Sequence, residues 1–119
     1  MANEIQVTVG LRCTNGNYKL TRNTETLQVD QTTASGGSPG VISVGTTEEA
    51  VAFGDVTPGY VLFKNLDATN YVQVGTRGAY SGRLLAGGGV ALFYVDTGVS
   101  VFVKANTGAC LVEITSVST

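Results

Sequence analysis

Residues 57–75, TPGYVLFKNLDATNYVQVG, and residues 84–115, LLAGGGVALFYVDTGVSVFVKANTGACLVEIT, form an almost unbroken series of short apolar runs separated by turn residues. Runs rich in Val, Tyr and Phe, bounded by Gly, Pro, Asn and Asp, read as strands. Residues 60–64 and 71–74 are two of them, and Asn65, Asp67 and Asn70 supply side chains able to hold the turn between. Val90–Tyr94 is apolar on both faces, which predicts a central strand. Val99, Val101 and Val103 share one face, with Phe102 and Lys104 on the other. Cys110, Val112 and Ile114 form the inner face of the last strand.

Working back toward the start, Ile5, Val7, Val9 and Leu11 alternate with Gln6, Thr8 and Arg12, the period of a half-buried strand. Thr14-Asn15-Gly16-Asn17 follows. With Asn15-Gly16 at the centre of a type I′ turn, Cys13 faces Tyr18, Arg12 faces Lys19 and Leu11 faces Leu20. That register puts Cys13 on the inner face and sets two cations, Arg12 and Lys19, against each other. An acidic partner there would relieve their repulsion. The apolar parity switches between Leu20 and Leu27, so a bulge is expected near Arg22-Asn23-Thr24. Residues 32–40, TTASGGSPG, read as a flexible loop. Residues 46–53 fit either one helical turn or an edge strand. The pattern predicts about eight to ten short strands and no substantial helix. The expected architecture is an all-β, antiparallel, jelly-roll-like sandwich forming a single domain over residues 1–119.

Composition narrows the function. The 119 residues carry 13% charged side chains and a net charge of −2. No Lys/Arg cluster exists to neutralise phosphates, which argues against nucleic acid as a partner. No apolar run approaches a bilayer span, and the first residues lack the pattern of a signal peptide. The expectation is therefore a chain made and kept in a cytoplasm, with no membrane partner. Low charge fits a surface covered largely by neighbours.

The chemistry is sparse. There is no histidine, so Ser-His and Cys-His pairs cannot form. Cys13 and Cys110 have no metal-binding spacing, and both read as small buried hydrophobes, with a disulfide as the alternative. Glu48 and Glu49 would point to opposite faces of a strand. Asp55, Asp67 and Asp96 sit at turns, where Asp usually serves the backbone. Gly87-Gly88-Gly89 precedes a strand, not the Lys-Ser/Thr and helix that a phosphate loop requires. No catalytic residue, cofactor or metal ligand is assigned. The candidate interface residues are Arg77, Tyr80 and Arg83, on an expected mobile Gly-rich loop over residues 75–82, with Arg12 and Lys19 on the first hairpin. Arg and Tyr are frequent anchors of interfaces. An acidic protein surface or a glycan would suit the loop.

The run from Lys64 to Gly75, KNLDATNYVQVG, resembles a segment of small structural proteins of tailed bacteriophages and prophages. In those, an NLDATNYV hairpin ending in Gly is followed by a Leu-x-Ala-Gly turn, a strand, an AKANT-x-A hairpin and a closing strand. The corresponding pieces here are Leu85-Ala86-Gly87, Val90 to Phe93, and Lys104-Ala105-Asn106-Thr107-Gly108-Ala109. The resemblance covers residues 59–115. It implies a virion component on the head surface or, as an alternative, in the tail, assembled in the host cytoplasm. The implied role is capsid decoration or cement, with the major capsid protein as partner and a homo-oligomer, a trimer, as the form. Met1–Glu4 and residues 32–40 are the expected contact arms. A carbohydrate- or receptor-binding sandwich is the other reading of the same fold class.

Overall fold

Ten strands and no helix make up the described part of the chain, residues 3–119 of a computed structural model. Met1 and Ala2, half of the expected Met1–Glu4 arm, lie outside the described residues. Where the sequence predicts one domain over residues 1–119, the chain divides into two compact units. One runs to Thr33 and takes in Thr119; the other is Ala34–Ser118.

The first unit is a long hairpin, β1 (Ile5–Asn15) and β2 (Tyr18–Val29), which forms a two-stranded sheet of its own. Asn15 pairs with Tyr18, so the turn is Gly16-Asn17 and not Asn15-Gly16. Gly16 has φ 57° while Asn17 has no positive φ. A single positive φ at the first central position is the type II′ pattern, which Gly alone favours there. The register therefore differs from the expected one. Cys13 pairs with Leu20, Arg12 with Thr21 and Lys19 with Thr14. Arg12 and Lys19 are diagonal neighbours among threonines, and the predicted head-on repulsion is absent. The bulge falls where the parity switch requires it: Val9 pairs with Glu25 and Leu11 with Arg22, leaving Asn23 and Thr24 opposite Gly10.

The second unit is the sandwich. Its strands are β3 (Gly40–Val44), β4 (Glu49–Ala50), β5 (Tyr60–Asn65), β6 (Val72–Thr76), β7 (Ala79–Leu84), β8 (Val90–Tyr94), β9 (Phe102–Ala105) and β10 (Cys110–Val117). One sheet has the order β3-β10-β5-β8 and the other β4-β9-β6-β7. First pairs with last, second with second-last, and so inward, all antiparallel. That is one long antiparallel ribbon folded over itself, the jelly roll. The ambiguous residues 46–53 contain the edge strand β4.

The same wrapping corrects two expectations. Strands β5 and β6 are not a hairpin, because they lie in different sheets; residues 66–71 cross between the sheets. Strand β8 is not central: it is the edge beyond β5. Only Ala91 and Phe93 of β8 share the inner side, opposite Phe63 and Val61.

Alternation fills the space between the sheets. Val61, Phe63, Val72, Leu84, Val103, Val112 and Ile114 are all fully buried, and the Phe63 and Phe93 rings stack at 5.5 Å. Burial of such side chains contributes about 1.5–3 kcal/mol each. Residues 34–40 are tied down rather than free. Gly36 bridges Val117, Gly37 N–H donates to Ser116 O at 2.6 Å, and Ser118 N–H donates to Ser35 O at 2.9 Å. Cys110 is buried as expected, but Cys13 is exposed and both thiols are free.

Candidate functional site

The outer face of the β4-β9-β6-β7 sheet collects three of the five candidate residues. The segment expected to be a mobile loop is in fact the β6–β7 hairpin, turned at Arg77-Gly78 with Gly78 at φ 69°. Gly75 pairs with Tyr80 on one side and Phe102 on the other. A Cβ on Gly75 would collide with Ala79 O and lie 2.6 Å from Tyr80 Cα. Only glycine fits, and its lack of a side chain leaves a shallow floor between two aromatic residues.

The arginines are stacked on this face. The Arg77 guanidinium sits 5.0 Å from the Phe102 ring centroid, and that of Arg83 3.9 Å from Tyr71. Planar guanidinium on an aromatic face contributes about 0.5–1 kcal/mol at exposed sites and fixes the direction of the charge. Gln73 pairs with Arg83 and with Lys104 across the strands, so Arg83 and Lys104 flank it in one cross-strand row.

Glu48 completes the group. Its carboxylate accepts the Tyr80 hydroxyl and the Gly78 N–H. The Tyr80 bond, then the Gly78 bond, hold Glu48 below the ordinary carboxylate range, with a smaller attraction from Arg77 and Lys104. The same hydroxyl bond pushes Tyr80 up to about 12. Both groups move away from neutrality, where proton transfer is most effective. The arrangement can hold a surface in place; it does not offer an acid or a base poised to react.

Arg12 and Lys19 lie on the polar face of the β1–β2 hairpin, in the other unit. Sequence reasoning missed Glu48, Phe102, Tyr71 and Lys104 as members. The alternation of β9 does place Phe102 and Lys104 together, but which strands flank them depends on the wrapping order, which alternation does not encode.

The residues of the NLDATNYV and KANT runs have a different task. Asn65 is fully buried; its amide donates to Asn70 O at 2.8 Å and Leu84 O at 3.1 Å, and its carbonyl accepts Asp67 N–H at 2.9 Å. Asp67 accepts the N–H of Asn70 at 2.6 Å and of Thr69 at 3.0 Å; these bonds, Asn70 first, lower its pKa. Asn106 accepts Tyr71 N–H at 3.0 Å and Thr107 donates to Asn70 at 2.7 Å. The two runs bond to each other and brace the crossover between sheets. Gly87 N–H donates to Asp67 O at 2.7 Å, so the triple glycine is a turn in the same brace.

Between the edge strands β7 and β8 the sandwich opens into a cleft of about 610 Å³, walled by Val74, Phe93, Val95 and Val101 with Ser81 and Asp96 at its rim. No group of three or more His, Cys, Asp or Glu side chains could hold a metal ion among the described residues.

The fold and this face define an all-β jelly roll bearing a stacked basic–aromatic surface. Comparison of the chain with protein-family models, with curated proteins and with solved structures finds no match.

Proposed function

We propose that the protein is a structural component of a bacteriophage virion, a capsid decoration or cement protein that binds the major capsid protein and bridges neighbouring capsomers. The observation that carries this reading is the outer face of the β3-β10-β5-β8 sheet. Alternation turns Val41, Leu111, Leu62, Val90, Leu92 and Tyr94 outward there, and each is exposed. Leu62 and Leu92 stand directly opposite each other. Leu62, Val90, Leu92 and Tyr94 group at the β5–β8 edge, and the paired Glu113 and Lys64 separate them from Val41 and Leu111. Large apolar side chains grouped on an exposed sheet face suit a protein that works pressed against a neighbour. The jelly roll is an architecture of viral shell proteins, and of lectins, which is support by analogy of fold. The sequence resemblance over residues 59–115 adds to it.

The mechanism is mechanical. Each copy covers its apolar sheet on the shell and directs the stacked arginines at an acidic neighbour. Each contact is weak, and repetition over a symmetric lattice makes the sum strong.

The glycan alternative finds less support. A sugar ring would stack on an aromatic face, but Arg77 lies over the face of Phe102 and Arg83 over that of Tyr71. The Tyr80 hydroxyl is already committed to Glu48.

The test is co-sedimentation of the purified protein with phage shells lacking it. Attachment at a fixed ratio per capsomer, with a rise in the shell's melting temperature, supports the proposal. Failure to attach at saturating protein, with binding on a glycan array, sinks it.

A further inference from the structure

The β1–β2 hairpin has one polar and one apolar face. Gln6, Thr8, Arg12 and Thr14 share the polar face with Gln28, Thr26, Thr21 and Lys19, and the Thr8 and Thr26 hydroxyls bond at 3.0 Å. The other face carries six cross-strand rows in order, Ile5–Val29, Val7–Leu27, Val9–Glu25, Leu11–Arg22, Cys13–Leu20 and Asn15–Tyr18; Ile5 at one end is buried, and the four middle rows carry the pattern that follows. Leu11 is 65% exposed, Val9 56% and Leu27 52%. A two-stranded sheet with an open apolar face is marginal in water and needs a cover.

The order of the rows says what the cover is. The two inner rows each carry one charge, Glu25 and Arg22, joined by an ion pair at 3.1 Å. The two outer rows, Val7–Leu27 and Cys13–Leu20, are uncharged. The face is thus self-complementary under one particular two-fold operation. An axis lying between two stacked hairpins, perpendicular to their strands, reverses the row order. It lays Glu25 on the partner copy's Arg22, Val9 on its Leu11 and Leu27 on its Leu20. An axis along the strands keeps the row order and lays each charge on an aliphatic side chain, which takes the Arg22–Glu25 doublet out of water with no opposite charge from the partner copy to offset the loss.

From this match we infer that the hairpin is an isologous pairing surface: two copies of the chain stack their β1–β2 apolar faces, with the Arg22–Glu25 doublets crossed at the centre. Isologous contact is the commonest arrangement of like subunits. Four rows span about 27 Å by 10 Å, less than a standard stable interface. The pair is therefore weak and concentration-dependent in solution, and it strengthens where copies are held close together. Paired copies would tie one decoration site to the next. The inference rests on the hairpin alone and stands or falls apart from the virion reading.

The experiment is sedimentation equilibrium of the full chain up to concentrations on the order of 10⁻⁴ M, where micromolar to tenth-millimolar association is visible. Three samples are compared: the native protein, Arg22→Glu and Glu25→Arg. Both side chains are about 70% exposed, so the variants fold, which circular dichroism checks. The native chain should form dimers, and each variant alone should be monomeric, because like charges now meet twice. An equimolar mixture of the two variants should dimerise again, since the two carboxylates of one copy then meet the two guanidinium groups of the other. Recovery in the mixture cannot come from the ion pair within a copy, which both variants lack. Alkylation of Cys13 should slow several-fold as native dimer forms. A native chain that stays monomeric or forms trimers overturns the inference. So do variants that associate as the native chain does, and a mixture that stays monomeric.

Discussion

Tyr80 on β7 donates its hydroxyl to Glu48, 32 residues earlier and next to the edge strand β4. One bond thus ties both margins of the β4-β9-β6-β7 sheet across the glycine floor at Gly75. The sign of its pH dependence follows from the two shifts. Tyr80 is raised to about 12, so its contribution is complete below the ordinary tyrosine range near 10 and is lost as pH rises through 12. Glu48 is lowered, so its contribution is present above the ordinary carboxylate range and is lost as pH falls through the lowered value. Spectrophotometric titration should show one phenol ionising near pH 12 that disappears in Tyr80→Phe. In Glu48→Gln that phenol should move back toward 10. An unchanged titration curve in Glu48→Gln would refute the assignment.

Asn65→Ala removes the buried amide that holds the crossover. The carbonyls of Asn70, Leu84 and Leu85 and the N–H of Asp67 lose this partner, at about 1 kcal/mol for each well-formed bond. A loss of about 3 kcal/mol and a melting temperature lower by roughly 10 °C or more are expected for a unit of this size. A drop under about 3 °C in calorimetry would mean that the brace is redundant.

Gly75→Ala forces a methyl group into the backbone of β7 and should cost about 1–3 kcal/mol. Gly82→Ala is the control. Its added Cβ would meet nothing nearer than Val74 O at 3.8 Å, so its effect stays within about 1 kcal/mol. Denaturant midpoints of equal size for the two variants would contradict the close approach at Gly75.

Leu62→Glu and Leu92→Glu place charge on the outward apolar sheet. Stability of the free protein should change by less than about 1 kcal/mol, while attachment to shells falls at least tenfold. Equal attachment by native and variant protein would show that the shell is held by some other face.

Thiol labelling of the folded protein should modify Cys13 and spare Cys110. Burial raises the Cys110 pKa and denies reagent access. Mass spectrometry of the native protein should show one adduct, and of the unfolded protein two. Two adducts under native conditions would place Cys110 at the surface.

Much of the fold can be read from local pattern. The inner faces of β5 and β10 follow from strict alternation, and the bulge opposite Gly10 from a parity break between Leu20 and Leu27. What local pattern does not carry is partnership. Residues 65–70 read as a simple turn, yet they bridge two sheets, because the jelly roll pairs strands far apart in the chain. Val90–Tyr94 reads as central because both faces are apolar. It is an edge strand whose outward side is exposed in the free chain. The hairpin register turned on a single glycine. Gly16 serves equally as the second residue of one turn type or the first of another, and only the backbone angle decides. The Glu48–Tyr80 bond lay beyond reach for the same reason: neither residue belongs to a motif, and their meeting depends on the order of four strands.

The sandwich's own ends meet. Ser35 and Ser118 are hydrogen-bonded to each other at the seam where the chain enters and leaves the jelly roll. In connectivity the unit is therefore close to a ring. Its natural ends could be joined by a short peptide and new ones opened at the Arg77-Gly78 turn, giving a circularly permuted chain with the same strand order. The same seam lets an N-terminal segment be exchanged without rewiring the sandwich. One scaffold could thereby carry different N-terminal segments while the order of its own strands stays the same.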